Sequence, residues 1–383
     1  MGNKGFLRLF LVITSFSIAT SLLSPLFSPY LKLIGLGYSE ISFVFSVIPL
    51  VIIIISPLIG RISDKIGRVR IVLISLLFYI LALLLYLLRV NQLLLIANVF
   101  IAVTVIGIDF LLIARVQDSI NRLRGTYGGF ALSLKHIGII LGPALGGYLA
   151  DRFSIKLVFI LVIILTALIG LFLSSIKERS QKRVYLDDFR LIKNIRNLIR
   201  IRELRNLAFL GFFVQLNNPA MGIFLPLLII DDMGLSYLKV GIALSFIGIF
   251  FAFQFVFGAI SDRIGNKKSI IIGNIIACVA LFLISLTSSY ILLLLCLLIF
   301  SFGGAFWNPA AYSIMADIGS RTESIGEVMG VYNSIGKIGE FTGYIISGII
   351  VAFLGIRFLF AFNGVMMFIG VIAFLIGCPS KDI

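Results

Sequence analysis

The sequence GRISDKIGRVR at residues 60–70 returns 198 positions later as GAISDRIGNKK at residues 258–268. Six of the eleven positions are identical, and two more keep a positive charge. Each copy is a short basic turn with glycines, and each lies between two long apolar runs. A turn that recurs after about half the chain length predicts a duplicated fold, in which two similar halves follow one another.

The composition predicts a membrane protein. Hydrophobic residues make up 60% of the 383 residues and charged residues only 13%, whereas soluble domains carry about 25% charged residues. A membrane-spanning helix needs about 20 mostly apolar residues, because only a helix satisfies its own backbone hydrogen bonds in hydrocarbon. Twelve such stretches predict an all-α membrane protein with twelve transmembrane helices in two pseudo-symmetric six-helix bundles. They lie at about 7–30, 39–60, 71–89, 92–114, 128–150, 155–176, 206–230, 237–259, 269–288, 290–313, 326–350 and 356–377.

The net charge of +15 orients the chain in the membrane. With an internal N-terminus, 24 of the 32 Lys and Arg residues fall in segments predicted inside, and six fall in outside loops. This bias predicts that both termini are cytoplasmic and that the number of spans is even. The basic charge therefore faces anionic lipid, and nucleic acid is not an expected partner.

One long polar stretch divides the predicted spans into two sets of six. We expect an N-terminal six-helix bundle at 1–176, a cytoplasmic linker at 177–205 and a C-terminal six-helix bundle at 206–383. Apolar residues recur at helical spacing in the linker, among arginines and lysines. This pattern predicts a basic amphipathic helix on the membrane surface, and a solvated linker is the alternative.

The duplicated turn identifies the family that the chain resembles. Residues 60–70 fit the pattern Gly-x-x-x-Asp-[Arg/Lys]-x-Gly-[Arg/Lys]-x-[Arg/Lys], which is the signature of the major facilitator superfamily between its second and third spans. The chain resembles this superfamily over essentially its full length. The resemblance implies a cytoplasmic gate, which acts as a latch that is closed in the outward-facing state of the transporter. Its expected residues are Gly60, Asp64, Gly67, Arg68, Asp118, Gly258, Asp262 and Gly265.

A second motif resembles that of the 12-span drug:proton antiporters in this superfamily. Residues 138–147, GIILGPALGG, fit Gly-x-x-x-Gly-Pro-x-x-Gly-Gly without exception. Small residues four apart let helix backbones touch, and a proline bends the helix. The resemblance implies that this motif shapes the seam between the halves and favours export, while simple helix packing is the alternative. Its residues are Gly138, Gly142, Pro143, Gly146 and Gly147.

One element of those antiporters is absent. They carry an arginine in the middle of span four, whereas this chain has Asn98 at the corresponding place. Proton coupling must therefore use other ionisable residues within the spans, which are costly in lipid and for that reason are functional candidates. The candidates are Glu340, Lys337, Asp109, Lys135 and His136. Lys337 and Glu340 lie on one helix face, and Glu340 is the leading proton carrier. A static ion pair is the alternative.

Polar residues in otherwise apolar spans predict a cavity that holds a small molecule. Serines recur at helical spacing in span one, and amides do so in span seven, although small polar residues also serve as contacts between helices. The cavity candidates are Ser17, Ser21, Ser24, Asn98, Gln215, Asn218, Gln254, Trp307, Asn308 and Asn333.

Motifs for other chemistries are missing. No phosphate-binding loop, nucleophile–base set or metal-ligand spacing is present, so we expect no enzyme activity, no cofactor and no metal. The expected function is proton-coupled export of small apolar or amphiphilic organic compounds by a monomer in the plasma membrane. Uptake by proton symport, transport of a small anionic metabolite, and a receptor or assembly factor that does not transport are the alternatives.

Overall fold

The computed structural model describes residues 3–108, 124–175, 198–322 and 325–377, and all regular structure within these ranges is helical. Among these residues, ten helices are long and apolar enough to cross a membrane. A further pair of helices, Tyr237–Ala252 and Gln254–Ile264, counts as an eleventh span with a bend of 47°. The all-α prediction is confirmed, and each predicted span contains a helix.

The chain forms two compact units, which are Met1–Val184 with Ile229–Ser245 and Tyr185–Leu228 with Phe246–Ile383. The linker predicted at 177–205 is described only from residue 198 onward. The helices before it are α1 Asn3–Leu23, α2 Phe27–Leu33, α3 Tyr38–Ile66, α4 Arg68–Leu87, α5 Asn91–Val105, α6 Arg124–Arg152 and α7 Ile155–Ser174.

The helices after the linker follow the same plan. They are α8 Arg202–Gln215, α9 Tyr237–Ala252, α10 Gln254–Ile264, α11 Asn266–Leu286, α12 Tyr290–Arg321, α13 Ile325–Leu354 and α14 Ile356–Gly377. Between α8 and α9 the chain forms two π-helical turns, Ala220–Phe224 and Leu228–Asp232. Pro219 and Pro226 accompany this irregular stretch, since proline supplies no backbone donor to the regular helical ladder.

Equivalent helices pack in equivalent ways within each unit. In the first unit α1 packs on α6 and α7, while α4 packs on α5 and α7. In the second unit α8 packs on α13 and α14, while α11 packs on α12 and α14. The packing of α3 on α5 is likewise repeated by α10 on α12. The sequence repeat is therefore a repeat of tertiary structure.

The duplicated turn has the same backbone in both places. Gly67 joins α3 to α4 with φ 110°, and Gly265 joins α10 to α11 with φ 93°. The Gly67 amide donates to the carbonyl of Ser63 over 2.9 Å, and the Gly265 amide donates to the carbonyl of Ser261 over 2.8 Å. Positive φ is the reason for glycine here, because a Cβ would strain this conformation.

Candidate functional site

A cavity of about 270 Å³ lies within the second unit. Its polar lining consists of amides, namely Gln215, Asn217, Asn218, Asn274, Asn308 and Asn333. Its aromatic lining consists of Phe251, Phe300, Trp307, Tyr312 and Tyr332, and its other apolar lining includes three methionines, Met221, Met315 and Met367. None of the described residues that line it carries a charge.

Five residues predicted from sequence meet at this cavity: Gln215, Asn218, Trp307, Asn308 and Asn333. The structure thus brings together side chains from α8, α12 and α13 that are far apart in the chain. Their role in binding remains a prediction. The sixth candidate from the C-terminal half, Gln254, begins α10 at the bend after α9 and is not part of this lining.

Two lining amides, Asn217 and Asn274, were not singled out by the sequence. Helical spacing from Gln215 selects Asn218 and skips Asn217, but α8 ends at Gln215 and the chain then turns before the first π-helical stretch. The change of helical phase lets Asn217 and Asn218 both reach the cavity. The only sequence signal for Asn274 is a single amide within an apolar span.

Hydrogen bonds fix the orientation of these amides. Asn218 Nδ2 donates to Gln215 Oε1 over 2.8 Å. Asn217 Nδ2 donates to the carbonyl of Phe213 over 2.9 Å, and Asn274 Nδ2 donates to that of Ile270 over 2.8 Å. In the last two side chains a backbone carbonyl four residues earlier in the chain therefore holds the nitrogen.

An ion pair lies next to the cavity on α13. Lys337 Nζ and Glu340 Oε2 are 2.5 Å apart, and their side chains are 23% and 10% exposed. Asn333, one turn before Lys337, lines the cavity, and Gly336 lies against the side chain of Gln215. Neither charged residue lines the cavity itself. The pair is thus one helical turn from the lining.

The other proposed proton carriers lie in the first unit. Lys135 and His136 are half-buried on α6, and the Lys135 carbonyl accepts a hydrogen bond from Ser17 Oγ over 2.6 Å. Asp109, the remaining candidate of this half, lies outside the described residues. A role of these three residues in proton coupling remains a prediction.

The glycine motif of α6 forms a close contact with α1. A Cβ on Gly138 would lie 2.4 Å from Ser17 Oγ, and a Cβ on Gly142 would lie 2.4 Å from Ser21 Cβ. A Cβ on Gly146 would lie 1.9 Å from the Leu22 carbonyl oxygen. These glycines therefore hold two backbones together, as small residues do in membrane helices.

This contact changes the interpretation of the serine stripe. Ser17 and Ser21 are 5% and 9% exposed and face the α6 glycines, so in this structure they act as contacts between helices, which was the alternative to a cavity wall. Ser24 is half-buried, and its hydroxyl donates to the carbonyl of Ser21 over 2.8 Å.

The end of the glycine motif contacts the start of α9 within the same unit. A Cβ on Gly147 would lie 2.2 Å from the Tyr237 carbonyl oxygen, and a Cβ on Gly241 would lie 2.1 Å from that of Pro143. The carboxylate of Asp151 accepts hydrogen bonds from the backbone amides of Tyr237 and Leu238, over 3.0 and 2.8 Å. Asp151 thus caps α9, where the free amides favour an anion.

Asn98 is fully buried and does not reach an accessible cavity. Its Oδ1 accepts from the Tyr86 hydroxyl over 3.1 Å, and its Nδ2 donates to the carbonyl of Leu94 over 3.0 Å. Tyr86 also receives, at its carbonyl, a hydrogen bond from the Tyr30 hydroxyl. Asn98, which occupies the place of the antiporters' arginine, thus belongs to the core of the first unit in this structure. This position differs from the cavity role that the sequence predicted.

The expected gate residues follow the two turns. Gly60 and Asp64 belong to α3 and Arg68 begins α4, but the side chain of Asp64 and all of Asp118 lie outside the described residues. In the second copy, Gly258 contacts Pro309 and Asp262 is exposed. There the turn is braced by Asn266, which accepts from Ser261 Oγ and donates to Ser313 Oγ on α12. The gating role itself remains a prediction.

Comparisons with known proteins give the family. An uncharacterized MFS-type transporter of Methanocaldococcus jannaschii is 28% identical over 261 residues, which are 66% of this chain and 66% of that protein, slightly under two thirds of its length.

Solved structures share the fold at low sequence identity. The human organic anion transporter MFSD10 is 20% identical with a TM-score of 0.71, covering 97% of this chain and 98% of its own. The nucleoside transporter NupG is 15% identical with a TM-score of 0.81, and the match covers 98% of this chain and 99% of NupG. A D-xylose-proton symporter is 15% identical with a TM-score of 0.77, and the match covers 98% of this chain and 97% of the symporter. The sequence model of the Major Facilitator Superfamily matches residues 9–253 and 207–382, so the chain is a multi-pass membrane protein that belongs to this superfamily.

Proposed function

We propose that this protein is a secondary active transporter that exports small apolar or amphiphilic organic compounds in exchange for protons. The observation that carries the proposal is the cavity of the second unit, where apolar and aromatic side chains surround a few amides. Binding sites for small organic molecules have this character, with a mostly apolar wall and few polar groups that fix orientation. The fold neighbours named above transport organic anions, nucleosides, and a sugar together with protons, and the cavity favours the less polar end of that range.

Coupling to protons is assigned to Glu340. It is 8% exposed and lies one helical turn from Gly336, which contacts the cavity residue Gln215. A ligand that shifts Gln215 or α13 would alter the pairing of Glu340 with Lys337, which is the link that we propose between ligand and proton. Export is favoured over uptake by the resemblance of residues 138–147 to the antiporter motif.

The proposed transporter is a monomer with two six-helix domains, 1–176 and 206–383, whose rocking motion gives alternating access. The distribution of Lys and Arg supports the proposal that both termini face the cytoplasm. We place the protein in the cell membrane as part of the same proposal. A small anionic metabolite is a weaker candidate for the substrate, because the described lining offers no positive charge.

The test is proton flux in inverted vesicles with an acidic interior. Addition of a substrate should dissipate the acid gradient, since an exporter in this orientation carries substrate inward and protons outward. A panel of neutral, cationic and anionic organic compounds identifies the class. No response to any of them would overturn the export proposal, and a response only when the gradient is reversed would favour uptake.

A variant of the coupling residue sharpens this test. Glu340→Gln keeps the shape of the side chain but cannot release a proton, so gradient-driven transport should be lost while exchange of substrate without a gradient remains measurable. Glu327→Gln, at the start of the same helix, is the matched control and should transport normally. Normal gradient-driven transport by Glu340→Gln would exclude this carboxylate as the proton carrier.

A further inference from the structure

The segment at residues 229–245 follows the linker in sequence but packs with the first unit. It includes most of the second π-helical turn and the start of α9. Its polar contacts lie at the start of α3 and at the end of α6. Because α3 is one continuous helix of 29 residues, roughly 43 Å long, its start lies far from the basic turn at its end. The contacts therefore lie at the opposite side of the first unit from that turn.

Asp151 holds the start of α9 through both oxygens of its carboxylate. Oδ1 accepts a hydrogen bond from the backbone amide of Tyr237 over 3.0 Å, and Oδ2 accepts one from that of Leu238 over 2.8 Å. The first amides of a helix have no partner within the helix and favour an anion. Asp151 is the next-to-last residue of α6, so one side chain connects the end of this helix to the start of another.

A second polar contact holds the π-helical turn. The hydroxyl of Tyr38, at the start of α3, donates to Asp231 Oδ2 over 3.0 Å. Lys32 Nζ lies 3.7 Å from the centroid of the Tyr38 ring, which is a cation–π arrangement. Asp151 and Asp231 are both exposed. Exposed charged contacts contribute little net stability, because water replaces them at small cost. These contacts can therefore break and form again.

The carboxylate of Asp151 is not part of the internal repeat. The glycines of α6 and α13 correspond at an offset of 201 positions, so that Gly147 corresponds to Gly348. At the same offset, Asp151 corresponds to Ala352. Both halves thus have the glycines that pack helices, whereas only the first half has the carboxylate that caps α9.

We propose that Asp151, Tyr38 and Asp231 form a clasp that keeps the segment 229–245 on the first unit, and that this clasp opens during each transport cycle. The inference rests on the proposed function, because alternating access requires contacts at the two sides of the molecule to break in turn. The basic turns are the candidates at one side, and the clasp is the candidate at the other. The clasp is closed in this structure.

Opening of the clasp is measured by the rate at which a buried cysteine reacts with a small water-soluble maleimide. Val240→Cys places the thiol on α9 between Tyr237 and Gly241, at a residue that is 0% exposed. The three native cysteines are replaced by alanine, and the protein is purified in detergent. Ala82→Cys, also fully buried but on α4 of the same unit, reports general unfolding.

We expect Asp151→Ala to raise the reaction rate of Val240→Cys about 2- to 30-fold, as for the loss of a helix N-cap. Tyr38→Phe, which removes the donor to Asp231, should raise it about 2- to 10-fold, as for the loss of one hydrogen bond. The rate at Ala82→Cys should stay unchanged in both variants, because opening of the clasp leaves α4 packed.

Ser154→Ala is the matched control. Ser154 lies in the same loop, and its Oγ accepts a hydrogen bond from the Leu157 amide over 3.2 Å, so it caps α7. Its loss also removes an N-cap, but one that does not belong to α9. The reaction rate of Val240→Cys should therefore stay at its original value.

Three results would overturn the clasp. The first is an unchanged rate at Val240→Cys in Asp151→Ala, and the second is an equal rise in Ser154→Ala. The third is an equal rise at both reporter cysteines in Asp151→Ala and in the milder Asp151→Asn, because general unfolding would explain it. A rise at Val240→Cys alone in Asp151→Asn supports the clasp even if Asp151→Ala does not fold.

The clasp and the proposed function fail in different ways. The labelling experiment needs neither a proton gradient nor a substrate. Faster labelling of the clasp variants in a protein without proton flux would contradict the exchange mechanism alone. Proton flux in the unaltered protein, together with unchanged labelling in the clasp variants, would contradict the clasp alone.

Discussion

Individual glycines have two distinct roles in this protein. Gly67 and Gly265 allow a backbone conformation at positive φ, whereas Gly138 and Gly339 allow two backbones to approach. No atom lies within 4 Å of the Cβ position of Gly265, so a side chain there would have room. It would nevertheless be strained, because the backbone at this residue has a positive φ. The first role concerns torsion angles, and the second concerns space.

Gly265→Ala should destabilise the protein by about 1–3 kcal/mol, which is the usual cost of a side chain in a conformation reserved for glycine. Gly326→Ala is the control, because it also has open space but lies in α13, where alanine is the better helix former.

The measurement for this pair is the temperature at which a thiol-reactive dye labels the buried Cys278 and Cys296, with Cys378 replaced by serine. The labelling temperature should fall for Gly265→Ala and stay level or rise for Gly326→Ala. Equal temperatures for the two variants would show that the turn tolerates a side chain.

Pairs of helices repeat the same contact in the two halves. On α6, Gly138 and Gly142 lie against α1, and on α13, Gly339 and Gly343 lie against α8. The glycines correspond at an offset of 201 positions, as the sequence repeat predicts. In the C-terminal copy the contact also sets the position of Lys337 and Glu340, which lie on α13 among these glycines.

Gly339→Ala should separate α13 from α8, because a Cβ there would lie 2.3 Å from the carbonyl oxygen of Phe212. Backbone cannot move aside as a flexible side chain can, so we expect a loss of about 1–3 kcal/mol of stability. Gly330→Ala on the same helix meets nothing within 4 Å and is the control. The same labelling experiment measures both. An unchanged Gly339→Ala would mean that the contact between the helices is looser than the structure indicates.

At the scale of the whole molecule, the duplication fits the alternating access that we propose. Two halves with the same internal packing can exchange roles at the two sides of a membrane, which is the arrangement that alternating access requires. The basic turn occurs once in each half, between α3 and α4 and between α10 and α11, with the same glycine conformation. We therefore propose a latch at these turns, with one copy in each half.

Asp64→Asn should slow transport while leaving ligand binding intact. One charged interaction at a protein surface contributes about 0.2–1 kcal/mol, so the loss of this charge should change the ratio of two states by up to several-fold. Turnover is measured in reconstituted vesicles, and binding is measured by Trp307 fluorescence. Asp262→Asn tests the second copy. Unchanged turnover in both variants would remove the argument for a latch.

The sequence by itself determined the membrane class, the helices, the duplication and the superfamily. These follow from local quantities, namely hydropathy over about 20 residues, the spacing of charges and the recurrence of a motif. It also identified five of the cavity residues, because amides and a tryptophan are conspicuous in apolar spans.

Only the tertiary structure decided which polar residues face open space. Ser17 and Ser21 lie against glycines, Asn98 is enclosed with Tyr86, and Asn217 reaches the cavity because α8 ends before it. The physical reason is that the exposure of a side chain depends on which other helix packs against its face of the helix. It also depends on how the helical phase changes where a helix is interrupted. Neither is contained in the periodicity of a single span.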